Sequence, residues 1–393
     1  MRFSSLTDRI DGPGVAAWQI HNAAMQGLRE GRDIIALSVG DPSFATPQPI
    51  CDRAIDAIQS GDTHYTAITG KPELRQAIAR LYTQHFNLPI RMENVAVSAG
   101  AQNGIFTTAL CLLNPGDDAL ALEPVYLTYA GCLEGIGARM LRAPMLPDQD
   151  FRLDLDALRS LVTPRTRAIF LANPNNPTGR VLSMEELEAI AELARTHDLW
   201  VVVDEVYRAL VFDGDYLAMH QLPDMRERTV TIGSLSKSHA MTGWRSGWIV
   251  APEPLIEHID RLALNMLYGL PGFIQTAMVE AVHRYPEFTA EMRARYRRRR
   301  DIVTAELGTG YGIQVRQPMA GMFSLIDVRA SGMTSGDFAW SLFREQNVST
   351  VDAEAFSPGL AGFIRIAYGL DEEPLREGCR RIAHFAKGAM RRP

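Results

Sequence analysis

Between about residues 95 and 250, short apolar runs alternate with longer stretches of helical periodicity, and this alternation restricts the fold more than any other property of the chain. Val95-Ala96-Val97-Ser98, Ala119-Leu120-Ala121-Leu122, Arg167-Ala168-Ile169-Phe170-Leu171, Leu199-Trp200-Val201-Val202-Val203, Thr229-Val230-Thr231-Ile232 and Gly247-Trp248-Ile249-Val250 read as strands. Several are apolar throughout, as strands covered on both faces must be, which is the pattern of a parallel sheet between layers of helices. Ser183-Met184-Glu185-Glu186 has the spacing of a capping box and predicts a helix running toward Arg195. The expected class is therefore α/β, with a mostly parallel sheet.

At 393 residues the chain exceeds the size at which one core stops growing. After about residue 285 its texture changes to a basic helical stretch followed by shorter strands, among them Phe323-Ser324-Leu325-Ile326 and Phe363-Ile364-Arg365-Ile366. We expect a large domain over 46–285 and a small α+β domain made of 1–45 and 286–393. The run Arg295-Tyr296-Arg297-Arg298-Arg299-Arg300 is expected to be a polar helix face turned to solvent or to a subunit boundary. A formal net charge of -6 argues against nucleic acid or an acidic membrane as partner and points to small molecules. The four cysteines lack metal-ligand spacing and a disulfide pattern, and no apolar stretch reaches 18 residues, so no metal, no membrane anchor and a cytoplasmic location are expected.

In an open parallel sheet, ligands bind beyond the carboxyl ends of the strands, and here several strand ends carry polar residues. Asp204 directly follows a strand expected to be fully buried, where an acid is costly unless paired. A protonated pyridine nitrogen suits it as partner, and capping of a following helix is the plainer alternative. Tyr207 lies three residues on. Asn173-Pro174-Asn175-Asn176-Pro177-Thr178-Gly179 reads as a rigid turn that could aim the Asn176 amide. Ser234 and Arg245 flank Lys237 with a hydroxyl and a guanidinium fork, both suited to a phosphate, and a lysine of lowered pKa forms Schiff bases with aldehydes. Ser98-Ala99-Gly100 closes a strand and opens a helix, so the free amides of Ala101 and Gln102 suit the same phosphate. Neither a P-loop nor a GxGxxG spacing is present.

Taken together, Gly40-Asp41-Pro42, His64-Tyr65-Thr66, the Asn-Pro-Thr-Gly turn, Asp204-Glu205-Val206-Tyr207, the Lys237 motif and Phe363-Ile364-Arg365 resemble, in order and spacing, the class I aminotransferases among the fold type I pyridoxal-phosphate enzymes. The resemblance covers nearly the whole chain. It implies a seven-stranded, mostly parallel sheet flanked by helices, and pyridoxal 5′-phosphate as cofactor. It also implies transfer of an amino group from an amino acid to a 2-oxo acid by a ping-pong cycle. By the same resemblance Lys237 is the Schiff-base lysine and base, Asp204 the partner of the pyridine nitrogen, and Tyr207 with Asn176 the ligands of the ring oxygen. Ser234, Arg245, Ala101 and Gln102 hold the phosphate, and Tyr126 stacks on the ring. Arg365 grips the substrate carboxylate, with Gly40, Asn176 and Tyr126 beside it. Tyr65 reaches the phosphate of a neighbouring subunit, which implies a homodimer with shared sites. Leu235 to Arg245, Met266-Leu267-Tyr268-Gly269 and Tyr296 to Asp301 are similar to the arginine–pyruvate branch of the family, with aspartate or aromatic donors as alternatives and a β-lyase of the same fold as a further one. Side-chain pocket residues are expected from Gly14 to Trp18, from Tyr126 and Tyr129, and from the partner subunit near Tyr268, and Tyr368 is expected at the pocket wall. His64 and His239 are expected to be structural.

Overall fold

The computed structural model describes residues 2–10, 14–308 and 311–389; the remaining residues of the expected small domain, at both termini and at 11–13 and 309–310, lie outside the described residues. Fourteen strands are present among the described residues: β1 (Ile35–Ala36), β2 (Val95–Ala99), β3 (Asp118–Glu123), β4 (Arg139–Leu146), β5 (Arg152–Leu153), β6 (Thr166–Ala172), β7 (Trp200–Asp204), β8 (Thr229–Ser234), β9 (Ser246–Val250), β10 (Gln314–Arg316), β11 (Phe323–Asp327), β12 (Val348–Ser349), β13 (Val351–Asp352) and β14 (Phe363–Ala367). The large sheet has the order β2-β9-β8-β7-β6-β3-β4-β5. Neighbours from β8 through β4 pair parallel, whereas β9 runs antiparallel to both β2 and β8.

Alternate residues explain why these strands are apolar throughout. Ile169, Leu171, Val201 and Val203 face one core, completed by Leu187, Ile190 and Leu193 of the helix Met184–Thr196. Ala168, Phe170 and Val202 face the opposite core, against Ile105 and Ala109 of the helix Ala101–Leu112 and Leu255 and Ile259 of the helix Glu253–Met266. With period two, each strand feeds both layers.

Seven strands of this sheet match the expectation, and the eighth, β5, is a two-residue antiparallel addition to the end of β4. Its anchor is a residue the sequence did flag. Glu186 closes the capping box by accepting from the Ser183 amide (2.7 Å), and its other oxygen accepts from the Leu153 amide of β5 (2.7 Å). Burial pushes this carboxyl up, but the two amides and Arg180 hold it below its usual range.

The second sheet, β10-β11-β14-β13, is antiparallel and packs on the helices Tyr285–Leu307, Ser335–Gln346 and Glu372–Ala389. The N-terminal segment is held by β1, which pairs parallel with β12 in a separate two-stranded sheet, and passes beside the carboxyl edge of the large sheet. The basic run is exposed at Arg297 and Arg298, as expected, and departs from that setting at its end. Arg299 and Arg300 are buried at 2% and 4% exposure, not turned to solvent, because both reach carboxylates. Arg299 pairs with Asp371 and donates to the Gly369 carbonyl (2.7 Å), and Arg300 pairs with Asp213 and Asp301. Among the described residues no helix is long and apolar enough to cross a membrane.

Candidate active site

A cavity of about 290 Å³ lies where the carboxyl edge of the large sheet meets β1, β11 and β14, and Lys237, Asp204, Tyr207, Asn176, Tyr126, Ala101, Gln102, Arg245, Gly40 and Arg365 all line it. Each arrives by a short route from a strand end. β7 ends in Asp204, β8 leads into the Lys237 loop, β6 into the Asn176 turn, β3 toward Tyr126 and β2 into the helix of Ala101.

Burial drives the Lys237 amine down to about 8; Asp41 opposes that shift, and Arg365 and Arg245 add to it. The amine donates to the Gly40 carbonyl at 2.6 Å. Burial likewise pushes the Asp204 carboxyl up to about 6, although the Val206 amide (3.1 Å on Oδ1) and the Tyr129 hydroxyl (3.1 Å on Oδ2) restrain it. Asp204 caps no regular helix, since only the short turn Arg208–Leu210 follows. The Tyr207 phenol is raised well above its ordinary value, by burial first, so it stays a donor.

In the proline turn the asparagines divide their work. Asn173 accepts from the Leu182 amide (3.0 Å) and Asn175 donates to the Pro124 carbonyl (3.0 Å), which fixes the loop. Asn176 Oδ1 instead accepts from Arg365 Nη1 at 3.1 Å. Arg365 Nη2 donates to the Ser38 carbonyl (2.9 Å), and Nε is buried without a partner. No carboxylate among the described residues pairs with this guanidinium, although it is only 6% exposed. A buried cation is retained at such cost where an anion is to be bound.

Opposite it, the helix Ala101–Leu112 points its free amides at the cavity. Its N-cap, Gly100, has φ 83, in the left-handed region, and a Cβ there would stand 2.6 Å from Arg245 Nη2. Glycine thus lets the guanidinium lie over the helix end. A Cβ on Gly247 would likewise meet the Gly100 backbone at 2.7 Å.

Ser234 does not line the cavity, and Tyr65, expected at the phosphate of a neighbouring subunit, lies outside the cavity of its own. The Ser234 hydroxyl donates to the Ser246 carbonyl (2.7 Å) and accepts from the Ser236 amide (3.1 Å), so it is spent on the loop, and Ser236 lines the cavity in its place. Tyr65 is 85% exposed and rests on the exposed Tyr268, ring centroids 4.8 Å apart. Two further expectations are corrected. Tyr129 is buried with its hydroxyl on Asp204 and is no pocket wall. Tyr368 faces the small-sheet core, its hydroxyl donating to the Phe323 carbonyl (3.2 Å). Of the segment Gly14 to Trp18, the side chains of 14–16 lie outside what the structure describes, and Ala17 and Trp18 line the cavity. Ser38, Phe323 and Val351 line it too; nothing local in the sequence marks them, because strand pairing brings them there. His239 is fully buried against Tyr285 and Phe288, its pKa pushed down to about 3 by burial, and is structural.

A primary amine of lowered pKa, a buried carboxylate across from it, and a helix N-terminus under a guanidinium together fit a phosphorylated aldehyde with a basic ring nitrogen. The model of the family described as aminotransferase class I and II matches residues 32–382.

The chain belongs to this family.

Its cofactor is pyridoxal 5′-phosphate and its substrates are amino acids and 2-oxo acids. The aminotransferase is 46% identical to the arginine–pyruvate transaminase AruH of Pseudomonas aeruginosa over 98% of both chains. It is 32% identical to the aspartate aminotransferase of Pyrococcus horikoshii over 91% of both. Among solved structures, it is similar to the aspartate aminotransferase from Thermus thermophilus with maleate, at TM-score 0.92 and 30% identity over 98% of this chain and 100% of that one. The N-succinyldiaminopimelate aminotransferase from Mycobacterium tuberculosis follows at TM-score 0.91 and 33% identity, with the same coverage.

Proposed function

We propose that this aminotransferase moves the amino group of arginine to pyruvate, with Arg365 reading the α-carboxylate common to both partners. The observation that carries the carboxylate reading is the buried guanidinium without a counter-ion, whose bidentate pair with a substrate contributes about 1.5 to 3 kcal/mol. The choice of donor and acceptor rests on the 46% identity to AruH.

When bound, pyridoxal 5′-phosphate supplies the aldehyde that takes up the amine and a ring that withdraws electrons. The chain's own residues do the rest. Arg245 and the amides of Ala101 and Gln102 hold the phosphate, Tyr126 covers the ring face, and Asp204 keeps the ring nitrogen protonated. Tyr207 and Asn176 bind the ring oxygen. Lys237 would hold the cofactor through its Nζ, and the same Nζ, when free, would move the proton from the substrate Cα. The Gly40 carbonyl, at 2.6 Å, receives the Nζ while it carries that proton. Gly40 and Asn176 flank the carboxylate beside Arg365. The exposed Tyr65–Tyr268 pair supports a homodimer in which Tyr65 serves the partner's phosphate, and we place the enzyme in the cytoplasm, where its four unpaired cysteines stay reduced. The large and small domains are taken to divide after residues 45 and 285.

A dicarboxylate donor such as aspartate is the second reading. Arg9 and Arg142 line an adjoining cavity of about 510 Å³ that shares Trp18 and Tyr126 with the first.

Mixing the holoenzyme with single amino acids and following the cofactor absorbance in one half-cycle tests the donor. Arginine is expected to convert it at least tenfold faster than aspartate or phenylalanine, and faster conversion by aspartate overturns the arginine reading. Lys237→Ala is expected to abolish the lysine-bound cofactor spectrum, and its survival overturns the role of Lys237.

A further inference from the structure

We propose that Tyr129 is a positioning residue for the cofactor, its phenol fixing the Asp204 carboxylate so that the carboxylate faces the ring nitrogen. The inference deepens the role of Asp204 proposed above and rests on it.

Tyr129 is 2% exposed, opens the short helix Tyr129–Gly135, and does not reach the cavity. Its hydroxyl donates to Asp204 Oδ2 at 3.1 Å, across 75 residues of sequence. The Val206 amide donates to Oδ1 at 3.1 Å. One donor on each oxygen locks the plane of the carboxylate, yet an ionised carboxylate accepts at about four sites, so acceptor capacity remains toward the cavity that Asp204 lines. The charged groups around it do not perform this task. Lys237, Arg245 and Arg365 line the same cavity without pairing with Asp204, Glu205 beside it disfavours its charge, and the phenols of Tyr126 and Tyr207 line the cavity without a hydrogen bond to it. Tyr129 is thus the side chain that supplies a hydrogen to this carboxylate, and the edge of its ring is braced on Tyr126, centroids 6.4 Å apart at 83°. Removing a donor from a buried carboxylate makes its ionised form harder to keep.

The test compares the cofactor-free native protein with Tyr129→Phe and Tyr82→Phe. Tyr82 is also 2% exposed, and its hydroxyl, which accepts from Trp248 Nε1 (3.1 Å), serves as the control for losing a buried phenol. Affinity for pyridoxal 5′-phosphate is titrated between pH 5 and pH 8. In the native protein, affinity falls as pH drops through about 6, where Asp204 takes up a proton. Tyr129→Phe is expected to weaken binding about tenfold at pH 6 and to move this fall to higher pH, whereas Tyr82→Phe keeps the native profile. A Tyr129→Phe profile with the native acid limb, even if uniformly weaker, overturns the proposal, because a space-filling role weakens binding equally at every pH. Asp204→Asn separates the two levels. If it leaves affinity and acid limb unchanged, the role of Asp204 itself fails; if it weakens binding and removes the limb while Tyr129→Phe does not move it, only the role of Tyr129 fails.

Discussion

Arg365 on β14 and the pair Arg299–Arg300 on the helix Tyr285–Leu307 belong to one small-sheet layer and are buried to similar degrees, yet they are served differently. Arg299 and Arg300 each meet carboxylates, from Asp371, Asp213 and Asp301, and tie the helix to the loops on either side. Arg365 meets only two neutral oxygens, lies 4.9 Å from the Phe356 ring, and faces a cavity. Burial of a cation is thus not what marks a site. Its missing counter-ion is, because the fold bears the desolvation cost for a partner it does not itself contain.

Substitution tests this contrast most strongly at Arg365. Arg365→Met is expected to lower kcat/KM about ten- to hundredfold, from the loss of a bidentate charged pair, while the urea midpoint holds or rises, since an uncompensated charge is removed. A variant that loses stability but keeps activity would put Arg365 in the same class as Arg300. Lys237, a further cation of the cavity without a carboxylate bonded to it, gives the next effect. Its folded pKa of about 8 lies below the unfolded value near 10.4, so between these pH values the unfolded chain binds the extra proton and folding is favoured as pH rises. The stability of the cofactor-free native protein relative to Lys237→Met should therefore increase by up to about 3 kcal/mol from pH 8 to pH 10.5, and a flat difference would show the amine to be solvated. Arg300→Met should cost about 1 to 2 kcal/mol in the urea midpoint, because Asp213 is partly exposed and can turn to water, with kcat/KM within about threefold of native. A larger loss of activity there would erase the distinction between the two kinds of arginine.

What the sequence showed follows the same division between local and distant. Strand ends are local, so Asp204 after the apolar run of β7 and Lys237 after β8 were legible, as was the helix whose amides face the cavity. The position of Arg365 was legible through the order of motifs, but its lack of a counter-ion was not. Choices among neighbours of one type were also hidden. Ser234 and Ser236 differ only in which hydroxyl the Ser246 carbonyl captures, and that carbonyl comes from β9. Tyr129 and Tyr126 sit three residues apart, and only the packing sends one to Asp204 and the other to the cavity. Tyr368, one residue past β14, turns to the core because the Phe323 carbonyl waits there. Glu186 was read as a cap and is also the clamp of β5, a second duty that no local spacing encodes.

The segment after β1 meets both ends of the substrate's chemistry, since the Ser38 carbonyl takes a hydrogen from Arg365 and the Gly40 carbonyl takes one from Lys237. It is held there by the pairing of β1 with β12 and by the Ser38–Ser349 hydroxyl contact. On the ribosome, residue 38 emerges early and must wait for residues 349 and 365, which are made near the end of synthesis. A growing chain therefore gathers its phosphate cradle and amine first and its carboxylate reader last.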